Sequence, residues 1–194
     1  MRWKYGSDNK IVSNGCNLEY FYRAGLSAGH DRLGASGISQ PANGSIIIKD
    51  GVPVGSALIG QAFTDARYFS SRPSAGGNDA ANSGGTNYGG TSAKLQQQVG
   101  ELAESVRAAN GWTSDQEVPS VLVTNSSSGL DPHLTPAAAY CQVERIAKVR
   151  GLEIRQVRDL ISEHIENADL GVVGEDRVNV LKLNLALDNL QQNQ

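Results

Sequence analysis

The sequence predicts an α+β fold: a single compact domain with a small mixed or antiparallel sheet, three to four helices and a long glycine-rich loop. Three observations predict it. Two β-rich runs flank a hairpin turn near residue 50, later segments repeat apolar residues at helical spacing, and strands and helices do not alternate strictly. Strict alternation would instead indicate a parallel sheet built from βαβ units.

Composition places the chain among ordinary globular proteins. Its 194 residues are long enough to bury one core, with 39% hydrophobic and 19% charged residues. The net charge of -3 excludes the broad basic surface that nucleic-acid binding needs. Nucleic acid is therefore not expected as a partner.

Charge and pattern change near residue 40. Residues 1–39 carry five basic and three acidic side chains and show no sustained helical or strand period. They also contain no run of roughly 20 apolar residues that could span a membrane. We interpret residues 1–39 as a poorly structured N-terminal segment and residues 40–194 as the domain, and we expect the chain to be soluble, without a membrane span.

The domain begins with a predicted hairpin. Residues 45–49 are a β-branched run, Asp50-Gly51 is a favoured hairpin turn, and residues 52–59 form the returning strand. Pro53 and Gly55 interrupt that second run, which indicates an edge strand or a bulge.

Residues 70–90 follow as a loop rich in Gly, Asn, Ser and Thr. A loop of that length in a compact domain is usually functional. A Walker A phosphate loop is excluded, because Thr91-Ser92 follows Gly85 and Gly90 where that motif requires a lysine. We expect the loop to lie outside the core, so that valine at Gly84 and Gly85 would spare the fold.

Three helices are predicted next. Leu95, Val99, Leu102 and Val106 recur at helical spacing, and Gly111 ends that helix. The second helix starts with Thr135 as N-cap and Pro136 in its first turn, and it ends at Gly151. The third presents one apolar face, which consists of Ile154, Val157, Leu160, Ile161 and Ile165.

Two short strands complete the prediction. Residues 121–124 are a candidate strand between the first two helices. Val178 and Val180, with Leu183 beyond them, indicate another strand that runs into a final short helix through Leu190.

No catalytic or metal-binding constellation is predicted. His133 is the best candidate for a general base, yet no Gly-x-Ser-x-Gly elbow is present, so a small hydrolase is only a third alternative. His30 and His164 lack partners at metal-ligand spacing. Cys16 and Cys141 are far apart and are interpreted as free thiols, Cys141 as a small buried hydrophobe on a helix.

Three polar stretches are candidate binding features. Residues 83–87 form a polar turn that pattern alone interprets as structural. Residues 125–131 follow a predicted strand and are either a binding loop or a turn. A charged cluster is either a solvated face or a docking surface, and it consists of Glu144, Arg145, Lys148, Arg150, Arg155 and Arg158.

Several stretches, in order along the chain, resemble the KdpC family. They are Gln40-Pro-Ala-Asn-Gly-Ser45, Gly55-Ser-Ala-Leu-Ile-Gly-Gln61 with Phe63, Tyr68-Phe-Ser-Ser-Arg-Pro-Ser-Ala75, Ser83-Gly-Gly-Thr-Asn87, Val118-Pro119, Leu122-Val-Thr-Asn-Ser-Ser-Ser-Gly-Leu-Asp-Pro132, Arg145-Ile-Ala, Arg150-Gly151 and Val178-Asn-Val-Leu-Lys-Leu-Asn-Leu-Ala-Leu-Asp188. Their number and order over about four fifths of the chain make the resemblance specific.

The resemblance implies a non-catalytic subunit of a bacterial high-affinity potassium-pumping P-type ATPase. Its implied partners are KdpA-like and KdpB-like subunits, which carry the ion path and the ATP-hydrolysing machinery. The family is described as a catalytic chaperone that promotes ATP use by the KdpB-type subunit in a transient ternary complex. No cofactor is expected to be tightly bound.

The resemblance also implies positions for a site. By analogy with a Ser-Gly-Gly loop, Ser83, Gly84, Gly85 and Asn87 would contact nucleotide. The same loop would face a partner through Arg72, Pro73 and Thr86.

The family implies a location in the cell inner membrane, with the soluble domain on the extracytoplasmic side. That placement favours a role in assembly or at the ion entrance over direct contact with ATP. Family members start with a membrane-spanning helix, which residues 1–39 do not show.

Overall fold

The computed structural model describes residues 3–5, 11–13, 44–168 and 174–192. Two short strands, β1 (Trp3–Tyr5) and β2 (Ile11–Ser13), pair antiparallel near the start of the chain. The other residues of the 1–39 segment, Cys16 among them, lie outside the described residues, as does the proposed boundary at residue 40.

The predicted hairpin is present. Strand β3 (Ile46–Lys49) pairs antiparallel with β4 (Val52–Ser56). The turn residues Asp50 and Gly51 have φ angles of 52° and 76°, as a two-residue type I′ turn requires. The register shifts between Ile47 and Ile48, which is the predicted irregularity. Strand β4 ends at Ser56, three residues earlier than predicted.

Residues 57–92 contain no helix or strand. Helix α1 (Ala93–Asn110) follows and ends at Gly111, whose φ of 68° is left-handed. The predicted strand at residues 121–124 is wrong, because residues 120–122 form a 3₁₀ turn. That turn follows Pro119, whose carbonyl accepts the Leu122 N–H at 2.9 Å. Val121 and Val123 belong to this turn and its end, and neither pairs with a described strand.

The second predicted helix is two helices. Helix α2 (Pro136–Tyr140) is capped by Thr135, and α3 (Val143–Arg150) ends at Gly151. The backbone N–H of Gln142 donates a hydrogen bond to the Ala139 carbonyl, and its side-chain amide donates one to the Ala138 carbonyl. This tighter turn interrupts the α-helix and points the Gln142 side chain into the protein.

Helix α4 (Ile154–Glu163) begins with a capping box between Glu153 and Gln156. Ile165, predicted on this helix, instead belongs to strand β6 (Ile165–Glu166). His164 ends the helix, with its ring Nδ1 2.8 Å from the Leu160 carbonyl oxygen.

A three-stranded antiparallel sheet closes the fold. It consists of β5 (His133–Leu134), β6 and β7 (Arg177–Asn179), with β7 between the other two. Val180, predicted on the last strand, starts helix α5 (Val180–Gln192) instead. Apolar residues of α2 to α5 and β7 pack with Phe63, Tyr68 and Phe69 into one core. The α+β class is confirmed.

Among the described residues, no helix has the length and apolar character needed to cross a membrane.

Candidate functional site

Residues 66–72, here called the threaded segment, leave a turn at the surface and enter the interior without forming a strand. Tyr68 and Phe69 are almost fully buried. Backbone inside a protein that belongs to no helix or strand must find other hydrogen-bond partners, because an unpaired buried amide costs free energy. Here the partners are side chains from the helices.

Four buried side chains supply these bonds. The Asn184 amide pairs with both the N–H and the carbonyl of Phe69, at 2.9 and 3.0 Å. Gln142 accepts the Ser70 N–H at 2.8 Å. Arg145 donates to the Ala66 and Tyr68 carbonyls, and Arg150 donates to that of Arg67.

This arrangement corrects the interpretation of the charged cluster. Arg145 and Arg150 were grouped with surface charges, but both are buried. The Arg150 guanidinium lies 4.5 Å from the centre of the Tyr68 ring, and it binds Asp188 at 2.9 Å. A sequence pattern alone does not separate such arginines from exposed ones, although the Arg145 and Arg150 motifs are among those that carry the family resemblance.

The threaded segment leads into the glycine-rich loop (residues 70–90). Asn78 is the only buried residue of the loop. Arg72 forms an ion pair with Asp131, with 2.7 Å between Nη1 and Oδ2. The Pro73 carbonyl accepts the Ser126 N–H at 3.0 Å.

Residues 125–131, here called the serine loop, lie against the glycine-rich loop. Ser83 Oγ and the N–H of Gly84 both donate to the Ser128 carbonyl, at 2.9 Å each. Ser74 Oγ donates to the Gly129 carbonyl at 2.7 Å. The tertiary structure therefore joins two polar loops that are about 40 residues apart in sequence.

The glycines of the predicted site differ in their surroundings. A Cβ at Gly84 would meet open space, whereas a Cβ at Gly85 would lie 2.9 Å from the Ser127 carbonyl oxygen. Asn87 is exposed and has a left-handed φ of 53°. Thr86 is half-buried.

An open groove of about 570 Å³ lies beside the joined loops. The serines of the serine loop, the Arg72–Asp131 pair and two leucines line it; the full set is Leu58, Arg72, Ser126, Ser127, Ser128, Leu130, Asp131 and Pro132. The buried Nε of Arg72 has no hydrogen-bond partner among the described residues. Leu58 is 61% exposed, so the groove combines apolar and polar surface.

Asp131 is the electrostatic centre of this region. Burial raises the pKa of its carboxyl, but hydrogen bonds from the side chain and backbone of His133 and from Arg72 outweigh burial and lower that pKa to about 2. Asp131 is therefore ionised at neutral pH and fixes Arg72 and the glycine-rich loop in place.

His133, the candidate base, has carboxylates as neighbours. Its Nδ1 lies 3.7 Å from Asp131 and its Nε2 lies 3.9 Å from Glu166. In the described part of the chain, no serine hydroxyl is hydrogen-bonded to its ring, and no cluster of three or more potential ligands could hold a metal ion. Within the described ranges, no serine is therefore placed as a nucleophile beside His133.

The comparisons with known proteins agree with one another. The family model described as KdpC, the c chain of K⁺-transporting ATPase, matches residues 31–189. A potassium-transporting ATPase KdpC subunit from Caldanaerobacter subterraneus subsp. tengcongensis is 52% identical over 75% of this chain and 76% of its own length.

Two further relatives carry the same name. The one from Koribacter versatilis is 49% identical over 77% of each chain, and the one from Mycobacterium bovis is 46% identical over 81% of this chain and 87% of its own. The match spans both loops and the helices that hold the threaded segment. This chain belongs to the KdpC family, the c chains of K⁺-transporting ATPases.

Proposed function

We propose that this chain is a non-catalytic subunit of a high-affinity, ATP-driven potassium uptake complex, in which it stabilises the complex and acts as a catalytic chaperone for ATP use by a KdpB-like subunit. The observation that carries the proposal is the family match over residues 31–189, with relatives named potassium-transporting ATPase KdpC subunit. The other implied partner is a KdpA-like subunit. The complex would lie in the inner membrane, with this domain on the extracytoplasmic side.

The joined loops are the surface we assign to partner binding. The Arg72–Asp131 pair and the bonds to the Ser128 carbonyl hold both loops in one shape. The exposed residues Ser83, Gly84 and Asn87 are therefore presented without a large ordering cost. A preorganised polar surface of this kind suits recognition of another subunit.

A nucleotide-binding regulator is the alternative that uses Ser83, Gly84 and Gly85 directly. Phosphate recognition by such a loop needs free backbone N–H groups and hydroxyls. In this structure the Ser83 hydroxyl and the Gly84 N–H already donate to the Ser128 carbonyl. Contact with ATP would require the two loops to separate, which favours a role in assembly or at the ion entrance, without nucleotide contact, over direct binding.

The experiment is co-expression with KdpA-like and KdpB-like subunits. We expect the chain to co-purify with them, and we expect its omission to lower potassium-stimulated ATPase activity and raise the KM for ATP. Ser83→Ala should reduce the chaperone effect, whereas Ser92→Ala should not, because the Ser92 side chain makes no capping bond. Failure of the chain to co-purify would overturn the proposal.

Two further measurements separate the alternatives. If omission of the chain prevents assembly without changing the KM for ATP, the assembly role is favoured. If the isolated chain binds ATP and Ser83→Ala abolishes that binding, the nucleotide regulator is favoured. The isolated chain is expected to hydrolyse neither ATP nor simple esters. Turnover that disappears with Ser83→Ala or His133→Ala would contradict the non-enzymatic assignment.

A further inference from the structure

A second groove, here called the tryptophan groove, lies away from the joined loops. It has a volume of about 380 Å³ between the loop after α1 and helices α2 to α4. Its lining includes Trp112, Glu117, Tyr140, Glu144, Ile154 and Arg158. None of these residues belongs to residues 70–90 or 125–131, so the function proposed above leaves the groove unexplained.

The groove exposes apolar surface that a domain would ordinarily bury. Ile154, in the first turn of α4, is 50% exposed although the rest of that helix buries Val157, Leu160 and Ile161. The half-buried rings of Trp112 and Tyr140 complete the apolar part. Aromatic rings beside an exposed aliphatic side chain are the composition typical of the centre of a protein interface.

Charged residues lie at the rim of the tryptophan groove. Glu117 and Glu144 are exposed, and neither is in an ion pair among the described residues. The only basic residue of the lining, Arg158, lies with its guanidinium 5.9 Å from the centre of the Tyr140 ring. The lining therefore keeps an excess of one negative charge next to apolar surface.

We propose that the tryptophan groove binds a segment of another subunit of the complex that presents an apolar side chain next to a lysine or arginine. This inference rests on the proposed function. The apolar side chain would cover Ile154 and the two rings, and the basic residue would lie between Glu117 and Glu144. Unpaired carboxylates at the rim favour a basic partner and disfavour an acidic one.

Matched variants test the contact in the co-purified complex. Ile154→Asp is expected to lower the amount of chain retained by the partner subunits at least tenfold. Val149→Asp is the control, because Val149 is 47% exposed at the end of α3 and does not line the groove. Both variants change surface residues and should melt within a few degrees of the parent chain.

A charge variant repeats the test without altering apolar surface. Glu144→Lys is expected to weaken retention at least fivefold, with a smaller effect at high salt because screening reduces surface electrostatics. Glu163→Lys makes the same change at an exposed position of α4 outside the groove and should stay within twofold of the parent.

Two natural reporters lie in the groove. In a Cys16→Ser background, modification of the Cys141 thiol should slow at least fivefold when the partner subunits are bound. Burial raises the pKa of this thiol, so labelling is carried out at mildly alkaline pH. In a Trp3→Phe background, Trp112 is the only tryptophan of the chain, and occupation of the groove should shift its emission to shorter wavelength.

The outcomes are distinct. If Ile154→Asp and Glu144→Lys assemble as well as their controls, or if Cys141 is equally reactive in the complex, this inference alone is overturned. Protection of Cys141 by higher concentration of the isolated chain would point to a second copy and would also overturn it. Failure of the parent chain to co-purify would overturn both this inference and the proposed function.

Discussion

At the scale of single residues, buried amides and guanidinium groups hold the threaded segment in place. Asn184 is fully buried and bonds both polar groups of Phe69, a residue 115 positions earlier in the chain. Removing one partner of a buried hydrogen bond costs more than the bond contributes, because the other partner stays unsatisfied.

We expect Asn184→Ala to lower the free energy of unfolding by about 2 to 4 kcal/mol, since it leaves the N–H and the carbonyl of Phe69 unpaired. Chemical denaturation measures this change. Asn189→Ala, at an exposed position of the same helix, is the control and should cost no more than about 0.5 kcal/mol. Equal effects of the two variants would show that Asn184 does not hold the threaded segment.

The second interaction at this scale is the Arg72–Asp131 pair, which joins the loops. Both side chains are largely covered, at 24% and 28% exposure. The pKa of Asp131 is lowered from 3.8 to about 2 on folding, so its contribution to stability is fully present above the ordinary value and is lost as the pH falls towards 2.

We expect Asp131→Asn to lower the free energy of unfolding by about 1 to 2 kcal/mol at pH 7, because the charge-assisted hydrogen bond with Arg72 is lost. Partial exposure of both side chains to solvent limits the size of this effect. The difference from the parent chain should shrink as the pH falls below 4 and be lost only below pH 2. Asp159→Asn is the control, since its pair with Arg155 is exposed and should contribute little. Thermal melts across this pH range give both values, and a difference independent of pH would contradict the assignment.

At the scale of elements, the glycine-rich loop and the serine loop form one unit because their backbones are in direct contact. Gly85 packs against the serine loop so closely that a Cβ there would lie 2.9 Å from the Ser127 carbonyl oxygen. Gly84 has open space at the same position. The expectation that valine spares the fold at both glycines therefore holds more readily at Gly84 than at Gly85.

We expect Gly84→Ala to change stability by less than about 0.5 kcal/mol and Gly85→Ala to cost about 1 to 3 kcal/mol, because the serine loop must move. Denaturation of the two variants, each the control for the other, measures the difference. Equal stability of both would mean that the loops separate easily, which would revive the nucleotide-binding alternative.

At the scale of the whole molecule, the core draws on distant parts of the domain. Residues between Val54 and Leu187 contribute to one cluster, in which Phe63, Tyr68 and Phe69 pack with the apolar faces of α2 to α5. Among the residues whose burial the structure describes, every member of that cluster lies after residue 40, within the stretch that the family model matches.

A chain that starts at Gln40 is therefore expected to melt within a few degrees of the full chain. Residues 1–39 carry charges in every 20-residue window, and each would cost about 2.5 to 3.5 kcal/mol at the centre of a membrane helix. Recovery of only the full chain in washed membranes would show that residues 1–39 bind membranes.

Local features were predictable from sequence because local physics decides them. Four such features each depend on a few neighbouring residues: the Asp50-Gly51 turn, the Thr135 cap, and the helix ends at Gly111 and Gly151. The α+β class and the family followed from patterns and motifs of the same kind.

Sequence alone therefore determined the α+β class, the hairpin, several helix ends and the family of this protein. Only the tertiary structure decided which polar residues act together. Arg145 and Arg150 resemble surface charges until the threaded segment passes beside them, and residues 83–85 acquire their neighbours only when the serine loop packs there. Ser83 and Ser128 are 45 positions apart, and Arg150 and Arg67 are 83 apart. No local period or turn preference records a contact across such a distance.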